Sequence, residues 1–349
     1  MNARAAGGTH RPACGLAVIL ASGILIGHFL PLDLFFWLAA ASLFIVLFLF
    51  WPSPWPVYLS LFCLGAALIH VAHPPAMDPL YDWRQQLKAV LYRYLDSREA
   101  GTMAAIVLGD RTAIPKEINM IFRHTGTGHI LVIAGLHMAT MAALVLFILK
   151  LARIPQPWQG MLAVFLIFSY AVLTGGSVPV MRAAIMTSVL LASLGLGLQA
   201  DALNSLSLAA FILLLMKADD LFDISFQLSF AAVFAIILLY GPVEKFLSFC
   251  PKWLACAAAV STAAWIGITP FQIWHFGTIA PVALAANLFV VPLLELTVML
   301  GLGLLSAGLC LPPLAWCMAG CLKVVLNGMI ITAFWFSQLP YGYIQLRGA

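Results

Sequence analysis

The chain has 349 residues, of which 63% are hydrophobic and only 9% charged, with a mean hydropathy of +1.04 and a formal net charge of +4. A soluble domain needs about 25% charged residues to cover its surface, so the composition excludes a soluble enzyme and defines a polytopic membrane protein. The net charge is too small to argue for nucleic-acid binding by itself, and the positions of the charges carry the information. The seven cysteines lie in or beside apolar runs with no C-x-x-C spacing, and read as small packing residues rather than disulfides or a zinc site.

Arg4 and Arg11 precede an apolar run from Ala13 to Leu30, followed directly by runs over 34–51 and 57–72. This reads as a signal anchor continuing into a bundle, so residues 1–76 form N-terminal transmembrane segments. Turns are expected at Pro31–Asp33 and Trp51–Pro56, the latter rich in the proline and tryptophan of a lipid–water interface.

Residues 73–127 are the longest stretch without a predicted span. Leu80, Trp83, Leu87, Val90, Leu91 and Tyr94 recur at helical spacing, flanked by Arg84 and Lys88, with Arg93 and Arg98 beyond. The pattern predicts a basic amphipathic helix over 77–100, lying flat on the membrane or contacting a polyanion. A polar hinge follows, GDRTAIPKEINMIFRHTGTGHILVIAGLH over 109–137, carrying Asp110, Arg111, Lys116, Arg123, Thr125, His129 and His137. The Thr125–Gly128 stretch can offer backbone donors to an anion, or its glycines can serve close helix packing. His129, Ile133, His137 and Thr140 share roughly a quarter of a helical wheel. The histidines lack a carboxylate at ligand spacing, so no metal site is expected.

Apolar runs then fall at 128–150, 158–174, 178–200, 203–217, 221–241, 253–273, 279–305 and 311–337. The fold class expected is an all-α transmembrane bundle of about 9–12 spans, with residues 101–349 as its main domain. A cytoplasmic N-terminus puts Lys150, Arg153, Lys245 and Lys252 inside, and the hinge, basic helix and C-terminus outside.

Ionisable groups within a bilayer are costly and mark functional sites by default. Ser177 and Pro179 predict a helix leaving a tight glycine turn, with Arg182 one turn inside, either snorkelling outward or meeting an anion in a polar interior. Asp220, Asp223 and Gln227 share a face; Asp220 reads as structural, and Asp223 as a candidate partner for Arg182. Asn287 and Glu295 flank Pro292, where Glu295 is either a proton-relay group or interhelix glue. No nucleophile elbow, P-loop or dinucleotide fingerprint is present, so neither catalysis nor a cofactor is expected.

Leu108-Gly-Asp-Arg111, Phe122-Arg-His-Thr-Gly-Thr-Gly-His129 and Ile133-Ala-Gly-Leu-His137 together resemble the competence domain of the ComEC family, the inner-membrane DNA channels of natural transformation. Ser177-Val-Pro-Val-Met-Arg-Ala183, Phe226-Gln-Leu-Ser-Phe230 and Asn287-Leu-Phe-Val-Val-Pro292 continue the resemblance in the same order. Ala134 stands where the family usually has serine, and segments resembling the family's OB-like and metallo-β-lactamase-like domains are not found. The resemblance therefore implies the pore alone, without nuclease activity. It implies single-stranded DNA and membrane lipid as partners, with a separate nuclease or OB-like protein, a DNA receptor and a cytosolic helicase beside them. Arg84, Lys88, Arg111, Lys116 and Arg123 would serve the mouth, and Arg182, His129, His137, Gln227, Asn287 and Glu295 the route, with Asp110, Thr125 and Asp223 as further candidates on the DNA path. A proton-coupled transporter of a small anion and a non-transporting scaffold of the competence machinery are the competing expectations.

Overall fold

A computed structural model describes residues 11–30, 32–50, 53–71, 80–131, 135–195, 201–340 and 342–346. Arg4, Pro31, Trp51, Pro52, Ile133 and Ala134, named above, lie outside the described residues. Among the described residues there are fourteen α-helices. They are α1 (Pro12–Phe29), α2 (Leu34–Phe50), α3 (Pro54–Leu68), α4 (Tyr81–Tyr94), α5 (Ser97–Leu108), α6 (Lys116–His124) and α7 (Gly135–Leu151). After them come α8 (Gln156–Leu173), α9 (Val178–Gly195), α10 (Ala202–Met216), α11 (Ile224–Phe246), α12 (Lys252–Phe276), α13 (Ala283–Cys310) and α14 (Pro312–Ser337). Two-residue strands β1 (Thr278–Ile279) and β2 (Ile344–Gln345) pair antiparallel, Thr278 opposite Gln345. The expected all-α bundle is what forms: α1 and α11–α14 are long and apolar enough to cross a membrane, and six shorter apolar helices accompany them.

Two compact units emerge, one from residues 1–76 and 192–230, the other from 77–191 and 231–349. In the first, α1 packs on α3 through glycines. A Cβ on Gly27 would sit 2.5 Å from the Ala66 carbonyl oxygen, one on Gly65 2.5 Å from that of Leu20, and one on Gly23 would collide with Phe62. Between apolar helices in lipid, such close backbone approach supplies the packing energy. The start of α1 is tied to α10: Asp201 meets Arg11 at 3.0 Å and caps α10 by accepting from the Asn204 amide at 2.7 Å. That amide, and then Arg11, hold the Asp201 carboxyl below its ordinary pKa.

In the second unit α13 and α14 form the scaffold, with Val290, Leu294 and Val298 in one buried cluster with Leu322, Leu326 and Met329. Helix α5 packs into this cluster, and all its residues from Glu99 to Leu108 are buried. Asp96 and Glu99 form its capping box, and Gly109, with φ of 75°, ends it. Its 12 residues extend about 18 Å, short of the about 30 Å hydrocarbon core. Yet its side chains meet Gly301 and Asn327, well inside α13 and α14, so α5 is embedded at the level of the spanning helices.

The predicted 77–100 helix is divided at Leu95–Asp96 into α4 and the start of α5. Of the expected stripe, Leu87, Val90, Leu91 and Tyr94 join the cluster with α5, α13 and α14, so protein covers that part of the face, while Trp83 is exposed. Sequence periodicity gives the stripe but not what lies against it.

Candidate functional site

Two helix breaks come together around α4. Its Lys88 meets Asp110, just past the end of α5, at 2.6 Å, and both side chains are largely buried. The other Asp110 oxygen accepts from the Thr112 amide at 3.0 Å and hydroxyl at 2.6 Å, which fixes the Gly-Asp-Arg-Thr turn. One turn earlier on α4, Arg84 Nε donates to the Leu173 carbonyl at 2.8 Å, placing a cation on the negative end of α8. Its guanidinium lies beside Gly175, where a Cβ would be 3.6 Å from it; Gly175 and Gly176 have φ of 91° and 60° and make the tight turn expected before α9. The Tyr170 hydroxyl, on α8, donates to the Val107 carbonyl at 2.8 Å and closes the group onto α5. Arg84 and Lys88 are thus structural ties here, whereas Arg111, Lys116 and Arg123 remain exposed.

Arg182, in the first turns of α9, is 5% exposed, which settles its placement: it points into protein instead of snorkelling. His137 on α7 is buried too, at 1%. Beside it, Thr140 donates to Glu295 Oε2, joining α7 to α13, and Asn287 Nδ2 donates to Ser261 at 3.1 Å, joining α13 to α12. Asn287 and Glu295 therefore both link α13 to other helices.

Thr125 does not present its hydroxyl outward. It is fully buried, bonded to the Ile121 and Phe122 carbonyls at 3.1 Å and to the Thr127 hydroxyl at 2.5 Å. Gly126, with φ of 67°, packs where a Cβ would be 2.6 Å from Ala280, so this turn seats the hinge on the start of α13. Gly126 thus serves close packing, whereas a Cβ on Gly128 would meet nothing nearer than 3.8 Å. His129 follows in a short 3-10 turn and is exposed.

The face predicted for Asp220, Asp223 and Gln227 is interrupted, because Ala218–Phe222 is a 3-10 turn and α11 begins only at Ile224. Asp220 pairs with Lys217 at 3.2 Å, and burial raises its pKa. Asp223 caps α11 through the Ser225 and Phe226 amides at 2.8 and 3.2 Å, and Gln227 donates to the Leu221 carbonyl at 3.1 Å. These residues belong to the first unit and Arg182 to the second.

One network was missed from sequence. Lys323, inside α14, meets Asp96 at 3.2 Å and Glu99 at 3.6 Å, and Asn327 donates to Glu99 at 2.9 Å. The available signal was a lysine and an asparagine four apart in an otherwise apolar 26-residue helix.

Long apolar helices, a shorter set interrupted by turns, and polar groups buried between them define a multi-pass membrane protein. The Competence protein family matches residues 106–349, and the chain belongs to that family. It is 29% identical over 192 residues to ComE operon protein 3 of Bacillus subtilis (strain 168), a match covering 55% of this chain and 24% of that protein. It is 33% identical over 264 residues to the uncharacterized protein YcaI of Escherichia coli (strain K12), covering 68% of this chain and 33% of that protein. The matches thus span a third or less of either relative's length. No solved structure matches the chain.

Proposed function

We propose that this chain is a conduit, not a catalyst, that passes single-stranded DNA through the inner membrane into the cytoplasm during natural transformation. The observation that carries the reading is Arg182, a cation 5% exposed within the segment that matches the Competence family. A guanidinium taken out of water in an apolar bundle is retained where a path or an anionic partner uses it. The exposed Arg111, Lys116 and Arg123 add cations that attract phosphates, while few deep cations keep binding weak enough for release. A helicase on the cytoplasmic side supplies the pull, and a receptor and a nuclease or OB-like protein act outside.

The test replaces the native gene of a competent bacterium with this chain and follows labelled DNA into the cytoplasm. Entry supports a sufficient conduit; its absence, with the chain in the membrane and the partner domains co-expressed, overturns the proposal. A second reading, proton-coupled transport of a small anion, draws on Glu295, whose Oε1 is buried without a hydrogen-bond partner among the described residues. DNA-independent, proton-coupled flux of a small anion into liposomes would favour it.

A further inference from the structure

Arg111 was expected at the outer mouth, yet it follows directly on an embedded helix. The geometry points to a phosphodiester-binding station within the membrane, at the turns that end α5 and begin α9, with Arg111 as the ligand-facing cation. This rests on the conduit reading and says where along it the nucleic-acid backbone is held.

Four observations support it. Helix α5 reaches Gly301 of α13 through Met103 and Val107, so the turn just beyond Val107 lies inside the span of α13. The end of α8 is held at the same place by Tyr170 on the Val107 carbonyl and by Arg84 on that of Leu173. Arg111, Thr112, Gly175, Gly176 and Ser177 are nonetheless all exposed. Charged side chains and irregular backbone at membrane depth are stable only against protein or a water-filled cavity, so these exposed turns face water rather than lipid. Finally, the neighbouring cations are engaged by the protein: Lys88 by Asp110, and Arg84 by the end of α8. Arg111 forms no ion pair with a described residue. An exposed guanidinium beside turn backbone that faces water suits a phosphate diester, whose single charge it can bind in two-pronged fashion without reading a base.

The test uses the full chain in zwitterionic liposomes, its native cysteines replaced, with Thr112→Cys as a reporter beside an intact Arg111. Phe165→Cys, on an exposed apolar position of α8, serves as the lipid-facing control. A membrane-impermeant thiol reagent is expected to modify Thr112→Cys and not Phe165→Cys. A single-stranded thymidine oligonucleotide should slow modification about tenfold at about 50 mM salt and much less at about 200 mM. Adding Arg111→Gln should leave the reporter reactive, proving the cavity intact and wet, while abolishing the protection. An unreactive reporter overturns the station, as does protection that survives Arg111→Gln. Protection produced by anionic liposomes without DNA assigns the site to a lipid headgroup and also overturns it. If the wild-type chain imports DNA but shows no Arg111-dependent protection, the station fails and the conduit stands. Arg111-dependent protection without import in cells leaves the station standing and overturns the conduit.

Discussion

Lys323 ties α14 to the start of α5. Its ammonium meets Asp96 and Glu99, and Glu99 is 8% exposed. Lys323→Met leaves the buried Glu99 carboxylate with Asn327 and main chain, and should lower the midpoint of thermal aggregation in detergent. Lys323→Met with Glu99→Leu should recover most of that loss; no recovery would mean that the pair does not act as a unit. Asp201 offers a smaller effect at the surface. Asp201→Ala should remove a helix cap worth about 1 kcal/mol. Because its carboxyl is held below the ordinary value, its contribution is complete above the unfolded pKa and declines as pH falls through the folded one. A thermal-stability difference between wild type and Asp201→Ala that persists undiminished in strong acid would contradict this. At this scale the sequence named Arg182 and His137, which are buried, and Asn287 and Glu295, which are half-buried, as polar groups within apolar runs. It did not give their partners, because Thr140 and Glu295 are far apart in the chain and only the fold joins them.

The elements were read best where periodicity and length alone decide them. The apolar helices fall on the predicted runs, and the glycine turn before α9 lies where Gly175, Gly176 and Ser177 put it. Helix α5 was not foreseen, since a short segment of alanine, glycine and small apolar residues gives neither the length of a span nor a polar face. Its burial follows from what α13 and α14 present to it, at Gly301 above all. Packing of α1 on α3 was likewise hidden, although Gly23 and Gly27 are four apart on one face. Gly27→Leu should separate these helices, because its Cβ would lie 2.5 Å from the Ala66 carbonyl oxygen. The midpoint of thermal aggregation in detergent should fall by several degrees in that variant, and an unchanged midpoint would mean that the glycine contact does not hold the helices together. Gly126→Ala should weaken the seat of the hinge on α13 for two reasons, a φ of 67° and contact with Ala280 at 2.6 Å.

For the whole molecule, the hydropathy pattern specifies a multi-pass bundle, and the family match adds a competence protein. Orientation is a further expectation from the positive-inside rule: reporter fusions at the Lys150–Arg153 turn should be cytoplasmic, and a fusion after Gln345 should be outside. The reverse pattern would place Lys116 and Arg123 on the exit side and invert the direction in which they guide an anion. Whether buried cations guide a phosphate backbone through the bundle is decided at Arg182. Labelled DNA entering the cytoplasm would be counted in cells carrying the wild-type chain, Arg182→Ala or Arg182→Lys, at matched amounts of membrane-inserted protein. Guidance by Arg182 predicts loss of entry with alanine and partial retention with lysine, which keeps the charge but not the planar fork. Undiminished entry with Arg182→Ala would contradict it.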